Sequence, residues 1–266
     1  MSFQPVIPLG GYSGWRFLQR TSDQQRAVHA NDALTKREIS HFKSSIAGLT
    51  SAEDLVADRT SLKVALGAFG LDDDLGNRFF IRKILEEGTT ESGALATRLA
   101  DQRYRNLSDA FGYGPFSVPG ALVEGFAEEI TQSYLDRRFE VDVGEQDPDL
   151  RLALNLNRAL PELASSGSSP NTQWFSVMGQ TPLRRVFETA FGLPSSFASL
   201  DLDQQLGELR SRANSYFGNG EIAQFSEPEA LEDLTRLFLI RSQASQVATG
   251  AIGRARVALT LLQSMA

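Results

Sequence analysis

The sequence predicts an all-α protein: a multi-helix orthogonal or bundle-like body with a Gly/Pro-rich N-terminal arm and little or no β-structure. Two observations carry that prediction. The phrase Ala-Phe-Gly occurs three times, as Ala68-Phe69-Gly70, Ala110-Phe111-Gly112 and Ala190-Phe191-Gly192, each time after apolar residues at helical spacing. Each copy reads as a helix end, with Phe turned inward and Gly in the left-handed conformation, which costs other residues about 1–2 kcal/mol. Helix starts are marked as clearly. Asp147-Pro148, Thr181-Pro182 and Ser226-Glu227-Pro228-Glu229 each place proline in a first helical turn behind a polar residue.

Taken in order, residues 1–20 are rich in Gly and Pro and carry Phe3, Tyr12, Trp15 and Phe17. Too few periodic apolar positions occur there for a helix. The segment reads as an arm draped over the body with Trp15 as anchor, or as an arm that orders on meeting a partner. Residues 21–46 read as helical, with Leu34, Ile39, Phe42 and Ile46 near one face. Thr50 or Ser51 caps a second helix, whose Leu55, Leu62, Leu66 and Phe69 form a buried face up to Gly70. Asp72-Asp73-Asp74 opens the next helix, which runs through Phe79, Phe80, Ile81, Ile84 and Leu85 to Gly88. A calcium loop is excluded there, because Asn77 stands at the glycine position and Lys83 where a bidentate Glu is needed.

Two short helical pieces fill residues 92–112. Two prolines and two glycines between Gly114 and Gly120 then break the chain. A long helix is expected from about Ala121 to Phe139, with Leu122, Phe126, Ile130, Tyr134 and Leu135 near one stripe. Another helix starts at Asp147-Pro148, and Ser165-Ser166-Gly167-Ser168-Ser169-Pro170 is the clearest internal loop. Helices follow from Thr181-Pro182 to Phe191-Gly192 and from Leu200 to Phe217. The last runs from the Ser226-Glu227-Pro228-Glu229 start to about Ala266, with a break expected at Gly250 or Gly253. Its final turns carry Leu259, Leu261 and Leu262, which read as docking on the body or as a partner contact. The resulting organisation is an arm (1–20), a first helical part (21–145) and a second (146–266), the two parts forming separate or continuous domains. Residues 62–71 and 183–193 resemble each other, but helix starts and stops draw on a small alphabet, so no repeat architecture is inferred.

Composition excludes several classes of function. Apolar residues at 41% and charged residues at 22% are globular proportions, and the chain has no cysteine and only two histidines. Thiol chemistry is therefore absent. A net charge of −7 with scattered basic residues opposes nucleic-acid binding. Neither a secretory signal nor a membrane span is read, so the expected location is cytoplasmic, with export without a cleaved signal as the alternative. Glu38 and His41 have the spacing of a helical metal pair, but there is no second such pair. Gly10-Gly11-Tyr12-Ser13-Gly14 follows no strand and carries no Lys, so it is not a phosphate cradle. No catalytic, metal or cofactor residues are predicted.

Gly14-Trp15-Arg16-Phe17-Leu18, Asp54-Leu55-Val56-Ala57-Asp58-Arg59 and the run from Leu62 to Leu71 resemble an uncharacterised bacterial family, domain of unknown function 1217. Asp101-Gln102-Arg103-Tyr104 and Pro182-Leu183-Arg184-Arg185-Val186 resemble its pattern too. The resemblance implies company among flagellar genes in motile bacteria. It implies no activity, cofactor or site residue. The expected function is non-catalytic protein–protein interaction in flagellar assembly or function, with Trp15, Phe17, Leu259, Leu261 and Leu262 as candidate contacts. A secreted flagellar component and a helical enzyme or small-ligand-binding domain are the alternatives.

Overall fold

The computed structural model describes residues 3–99, 101–115 and 117–264, with side chains as far as Val247. Among these residues the chain forms thirteen α-helices and no strand, as the sequence predicts.

The N-terminal arm is shorter than expected, because helix α1 (Gly11–Ala30) begins inside it. Trp15, Leu18, Gln25 and His29 form the buried face of α1. Two of these four are polar, so the helical period is invisible to an apolar count. Helix α2 (Ala33–Ser45) is separate from α1, since the Asp32 carboxylate accepts from the Leu34 and Thr35 amides and starts a new helix. Leu34, expected inside, is 47% exposed; Thr35 and Glu38 are buried instead, beside Phe42, which faces inward as expected.

The helix expected to run unbroken to Gly70 is also divided. Helix α3 (Ala52–Ala57) is capped by Ser51, and Asp58 ends it and starts α4 (Arg59–Phe69). The Asp58 carboxylate accepts from the Thr60 and Ser61 amides and the Ser61 hydroxyl, and lies 2.6 Å from His41 Nε2. Partial burial raises its affinity for protons, but these hydrogen bonds outweigh that effect and hold the carboxyl below its ordinary value. The aspartate triplet folds into a 3₁₀ turn, Asp72–Gly76, instead of the first turn of α5 (Arg78–Glu87). Asp74 accepts from the Asn77 amide and the Tyr104 hydroxyl, and burial together with that carboxylate pushes Tyr104 up to about 12.

Helices α6 (Leu95–Arg98) and α7 (Gln102–Phe111) are the two short pieces expected before the second Ala-Phe-Gly. Helix α8 (Phe126–Gln146) starts later and runs further than predicted. Helices α9 (Pro148–Ala164), α10 (Pro170–Gly179) and α11 (Thr181–Phe191) all carry proline in the first turn, with Asp147 and Ser169 capping the first two. A 3₁₀ turn, Ser195–Ser199, precedes α12 (Leu202–Phe217). Helix α13 (Pro228–Ser264) passes Gly250 and Gly253 without a break. Its expected capping box is absent: the Ser226 hydroxyl donates back to the Ala223 carbonyl.

The helices form two compact units, one of residues Met1–Val6 and Arg20–Val143, the other of Ile7–Gln19 and Gly144–Ala266. Residues 1–20 are thus divided between the units and form no separate body. In the first unit α4 packs on α2, α3 and α7, around a core that includes Phe42, Leu55, Leu62, Leu66, Phe111, Phe126 and Tyr134. In the second, α11 packs against α9, α10, α12 and α13, with Phe187 edge-on to Trp174, Phe191 and Phe225 at 5.2–5.7 Å.

All three Ala-Phe-Gly phrases end helices, with φ of +70°, +60° and +63° at Gly70, Gly112 and Gly192. The copies followed by Leu make the two-bond closure, Leu71 N–H to Leu66 O at 2.9 Å and Leu193 N–H to Glu188 O at 2.9 Å. The copy followed by Tyr makes one bond, Gly112 N–H to Ser108 O at 3.0 Å, because the Tyr113 hydroxyl is drawn to the Leu49 carbonyl at 2.5 Å. A Cβ at Gly70 or Gly192 would meet only guanidinium tips, those of Arg137 and Arg103 at Gly70 and that of Arg241 at Gly192, whereas at Gly112 it would lie 2.4 Å from the Val118 carbonyl oxygen. In denaturant titrations, Gly70→Ala and Gly192→Ala should each cost about 1–2 kcal/mol, and Gly112→Ala clearly more. Equal losses at all three positions would contradict the backbone contact at Gly112.

Removing the double-duty cap at the α3–α4 junction gives a second prediction. Asp58→Ala should lose about 1–2 kcal/mol. Since the folded pKa is lowered, the ionised Asp58 stabilises the fold above the ordinary carboxylate value, and that contribution disappears as pH falls through the folded value. Stability measured from pH 6 downward should therefore fall less steeply in Asp58→Asn than in the native chain.

Candidate functional site

The predicted partner contacts divide into a buried anchor, a half-buried side chain and three side chains outside the described set. Trp15 is 2% exposed, and its indole N–H donates to Glu232 at 3.2 Å. Tyr12 and Gln19 donate to the same carboxylate at 2.9 and 3.1 Å, with Arg16 at 3.5 Å. Desolvation, reinforced by this carboxylate, raises the Tyr12 pKa. Trp15 thus fastens α1 to α13 and is unavailable as a free contact. Phe17 is half-buried beside it. Leu259, Leu261 and Leu262 lie along α13, but their side chains are outside the described residues. The helix-end residues behave structurally: Phe111 and Phe191 are fully buried, and Phe69 packs partly buried against the core.

The buried polar groups are used internally. Glu38 accepts from Lys63 Nζ and from the Tyr134 hydroxyl at 2.6 Å. Burial and this carboxylate raise the Tyr134 pKa. His41 turns instead to Asp58, so Glu38 and His41 do not share a site. His29 Nε2 lies 3.2 Å from Asp142 beneath the Phe3 ring. Among the described residues no group of three or more His, Cys, Asp or Glu could hold a metal ion.

An outward-facing apolar feature lies where the sequence showed only helix breakers. The α7 end and the α8 start are held together by the Phe111 and Phe126 rings, edge-on at 5.2 Å. Between them, Gly112 lies against the Val118 carbonyl, and Gly120 packs so closely on the Ala110 carbonyl that a Cβ there would sit 2.2 Å from its oxygen. Leu122 N–H donates to Pro119 O at 3.0 Å, Val123 N–H to Gly120 O at 2.8 Å and Phe126 N–H to Val123 O at 3.2 Å, closing successive turns. Backbone fastened inward turns side chains outward. Val118, Leu122 and Val123 are 71%, 63% and 56% exposed.

An acidic margin borders this ridge. Glu124 is exposed, and Glu128 and Glu129 stand in the first turn of α8, where they complement the helix dipole. The Lys43 ammonium, 3.2 Å from Glu128, holds that carboxyl below its ordinary value. The ridge offers apolar area without a titratable group, which suits protein contact better than bond chemistry. Sequence reasoning missed it by assigning Leu122 to the buried stripe of α8. The available signal was Gly125, which with Gly120 brackets Leu122 and Val123 outside a helix.

The fold and this surface define an all-α protein of two helical units. Residues 68–231 match the family described as Protein of unknown function (DUF1217), and the chain belongs to that family. The match contains the ridge and all three Ala-Phe-Gly phrases. Among solved structures, the X-ray structure of protein AGR_C_984 from Agrobacterium tumefaciens is similar, with 23% identity and a TM-score of 0.72. The similarity covers 90% of this chain and 98% of that one, and it supports the fold. No curated protein matches. Among the described residues no helix is long and apolar enough to cross a membrane.

The Gly120 contact can be tested directly. Gly120→Ala should cost about 1–3 kcal/mol, because its neighbour is backbone that cannot rotate away. Hydrogen exchange should quicken at the Leu122 and Val123 amides, while exchange across α11 stays unchanged.

Proposed function

We propose that the protein acts by binding another protein, without catalysis, in the assembly or working of the bacterial flagellum, and that the ridge of residues 118–123 is a contact surface. The observation that carries this reading is the display of Val118, Leu122 and Val123 on backbone held by contacts too close for any side chain. A rigid apolar ridge loses little conformational entropy when covered, which favours association. Its acidic margin calls for a partner with an apolar pocket and basic rim. The flagellar context comes from the resemblance drawn in the sequence, and a cytoplasmic location is part of the proposal.

The test is made in a motile host. Val118→Asp combined with Leu122→Asp should leave circular dichroism and the unfolding midpoint unchanged, yet reduce swimming and abolish cross-linking to a flagellar protein through a photo-reactive residue at 123. Normal flagella and swimming after deletion of the gene would remove the flagellar role. Normal swimming in the double variant alone would remove the ridge. Recovery in purified flagella instead of cytosol would reassign the protein as a structural part.

A further inference from the structure

The segment between α12 and α13 carries the one place in the chain where asparagine precedes glycine, Asn219-Gly220. Both residues lie outside helices, after the left-handed cap Gly218 and before a 3₁₀ turn, Ile222–Ser226. Asn219 is exposed, and its side-chain Oδ1 accepts from the Glu221 amide at 2.9 Å. That bond folds the side chain back over the intervening Gly220 amide. Gly220 N–H itself donates to no group among the described residues. The asparagine side-chain carbonyl is thus set beside an uncommitted backbone nitrogen, and Gly220 has no side chain to stand between them.

The Glu221 amide also activates that carbonyl. A donor on Oδ1 draws electrons from the carbon and stabilises the oxyanion that forms when a nucleophile adds to it, as an oxyanion hole does. No other asparagine has this setting. Each of the others is followed by a residue with a side chain, and Asn106, Asn155, Asn157 and Asn214 lie within helices, where the next amide is committed to the helical ladder.

We propose that Asn219 deamidates in the folded protein, by attack of the Gly220 nitrogen on the side-chain amide and hydrolysis of the resulting succinimide by water. The bond from Gly220 N to Asn219 Cγ forms as the Gly220 proton passes to solvent; the Cγ–Nδ2 bond breaks and ammonia leaves. Water then adds to one of the two ring carbonyls. Opening at Cγ gives aspartate, and opening at the former main-chain carbonyl gives isoaspartate, which has one more carbon in its backbone. No oxidant or reductant takes part.

The two products differ in effect. Aspartate keeps an oxygen for the Glu221 amide. Isoaspartate turns the Asn219 main-chain carbonyl, which accepts from the Gln224 side chain at 2.6 Å, into a pendant carboxylate, and it displaces Gly220. The Gly220 carbonyl accepts from the buried Trp174 indole at 3.0 Å, and a Cβ at Gly220 would lie 3.0 Å from the Arg210 carbonyl oxygen, so the displaced backbone has little room. Trp174 lies edge-on to Phe187 at 5.2 Å, so ageing of one exposed segment reaches the core of the second unit. The ridge of residues 118–123 is not involved, and failure of this inference leaves the proposed function standing.

The full chain is incubated in mildly alkaline water labelled with heavy oxygen, and its peptides are weighed over time. Residue 219 should lose nitrogen and gain labelled oxygen at least as fast as in guanidinium chloride, and about tenfold or more ahead of every other asparagine. Glu221→Pro, which removes the activating N–H, should slow the reaction in the folded chain about tenfold and change the rate in denaturant by less than about twofold. Of the two tryptophan indole N–H resonances, that of Trp174 should split in proportion to isoaspartate, whereas Asn219→Asp should leave both in place. Absence of label at residue 219 overturns the proposal, as does a folded-state rate below that in denaturant, a comparison that still decides if Glu221→Pro does not fold. An unslowed, folded Glu221→Pro overturns the role of the amide, and an unsplit Trp174 signal in isoaspartate-rich protein overturns the reach into the core.

Discussion

A helix leaves unpaired amides at one end and unpaired carbonyls at the other, and the way this chain satisfies them sets the rest of its architecture. Short acidic and hydroxyl side chains begin most of the helices: Asp32, Ser51, Asp58, Asp101, Asp147, Ser169 and Asp201 each accept backbone amides. Left-handed glycines close four, at Gly70, Gly112, Gly192 and Gly218. With ends satisfied locally, short helices can change direction often and still bury their apolar faces. That is how α3 and α4 turn about a single residue, Asp58.

Capping also decided what could be read in advance. The Asp147-Pro148 and Thr181-Pro182 starts and the three glycine ends stand out because proline and glycine have few alternative uses. Asp58 does not stand out, because an aspartate inside an apolar period looks like a residue on the solvent face. Gln25 and His29 hid α1 in the opposite way: they occupy buried positions as polar residues, satisfied by the Val6 backbone and by Asp142. Leu34 and Glu38 repeat the lesson within α2, since the carboxylate is taken inward by Lys63 and Tyr134 while the leucine stays outside.

The candidate surface was less legible than the fold for a related reason. Periodicity records which residues face inward, but it carries no information about residues displayed by an irregular segment. Val118, Leu122 and Val123 owe their exposure to the Ala110 and Val118 carbonyls packing against glycines, a contact of backbone with backbone. Gly112 therefore serves two ends: it terminates α7 and seats the segment that follows. A phrase used three times for one local purpose acquires a second in only one place.

The carboxylate of Glu232 has a consequence for the order of events during synthesis. The donors that reach it, Tyr12, Trp15, Arg16 and Gln19, lie more than 200 residues earlier in the chain. They belong to a unit whose remaining residues begin at Gly144, while nearly all of the other unit is translated in between. Residues 20–143 can fold while the ribosome is still working. The first turns of α1 must wait, with Trp15 uncovered, until α13 has emerged. Until α13 emerges the nascent protein thus carries a folded unit and an uncovered Trp15, a state in which a chaperone has a defined target around that side chain.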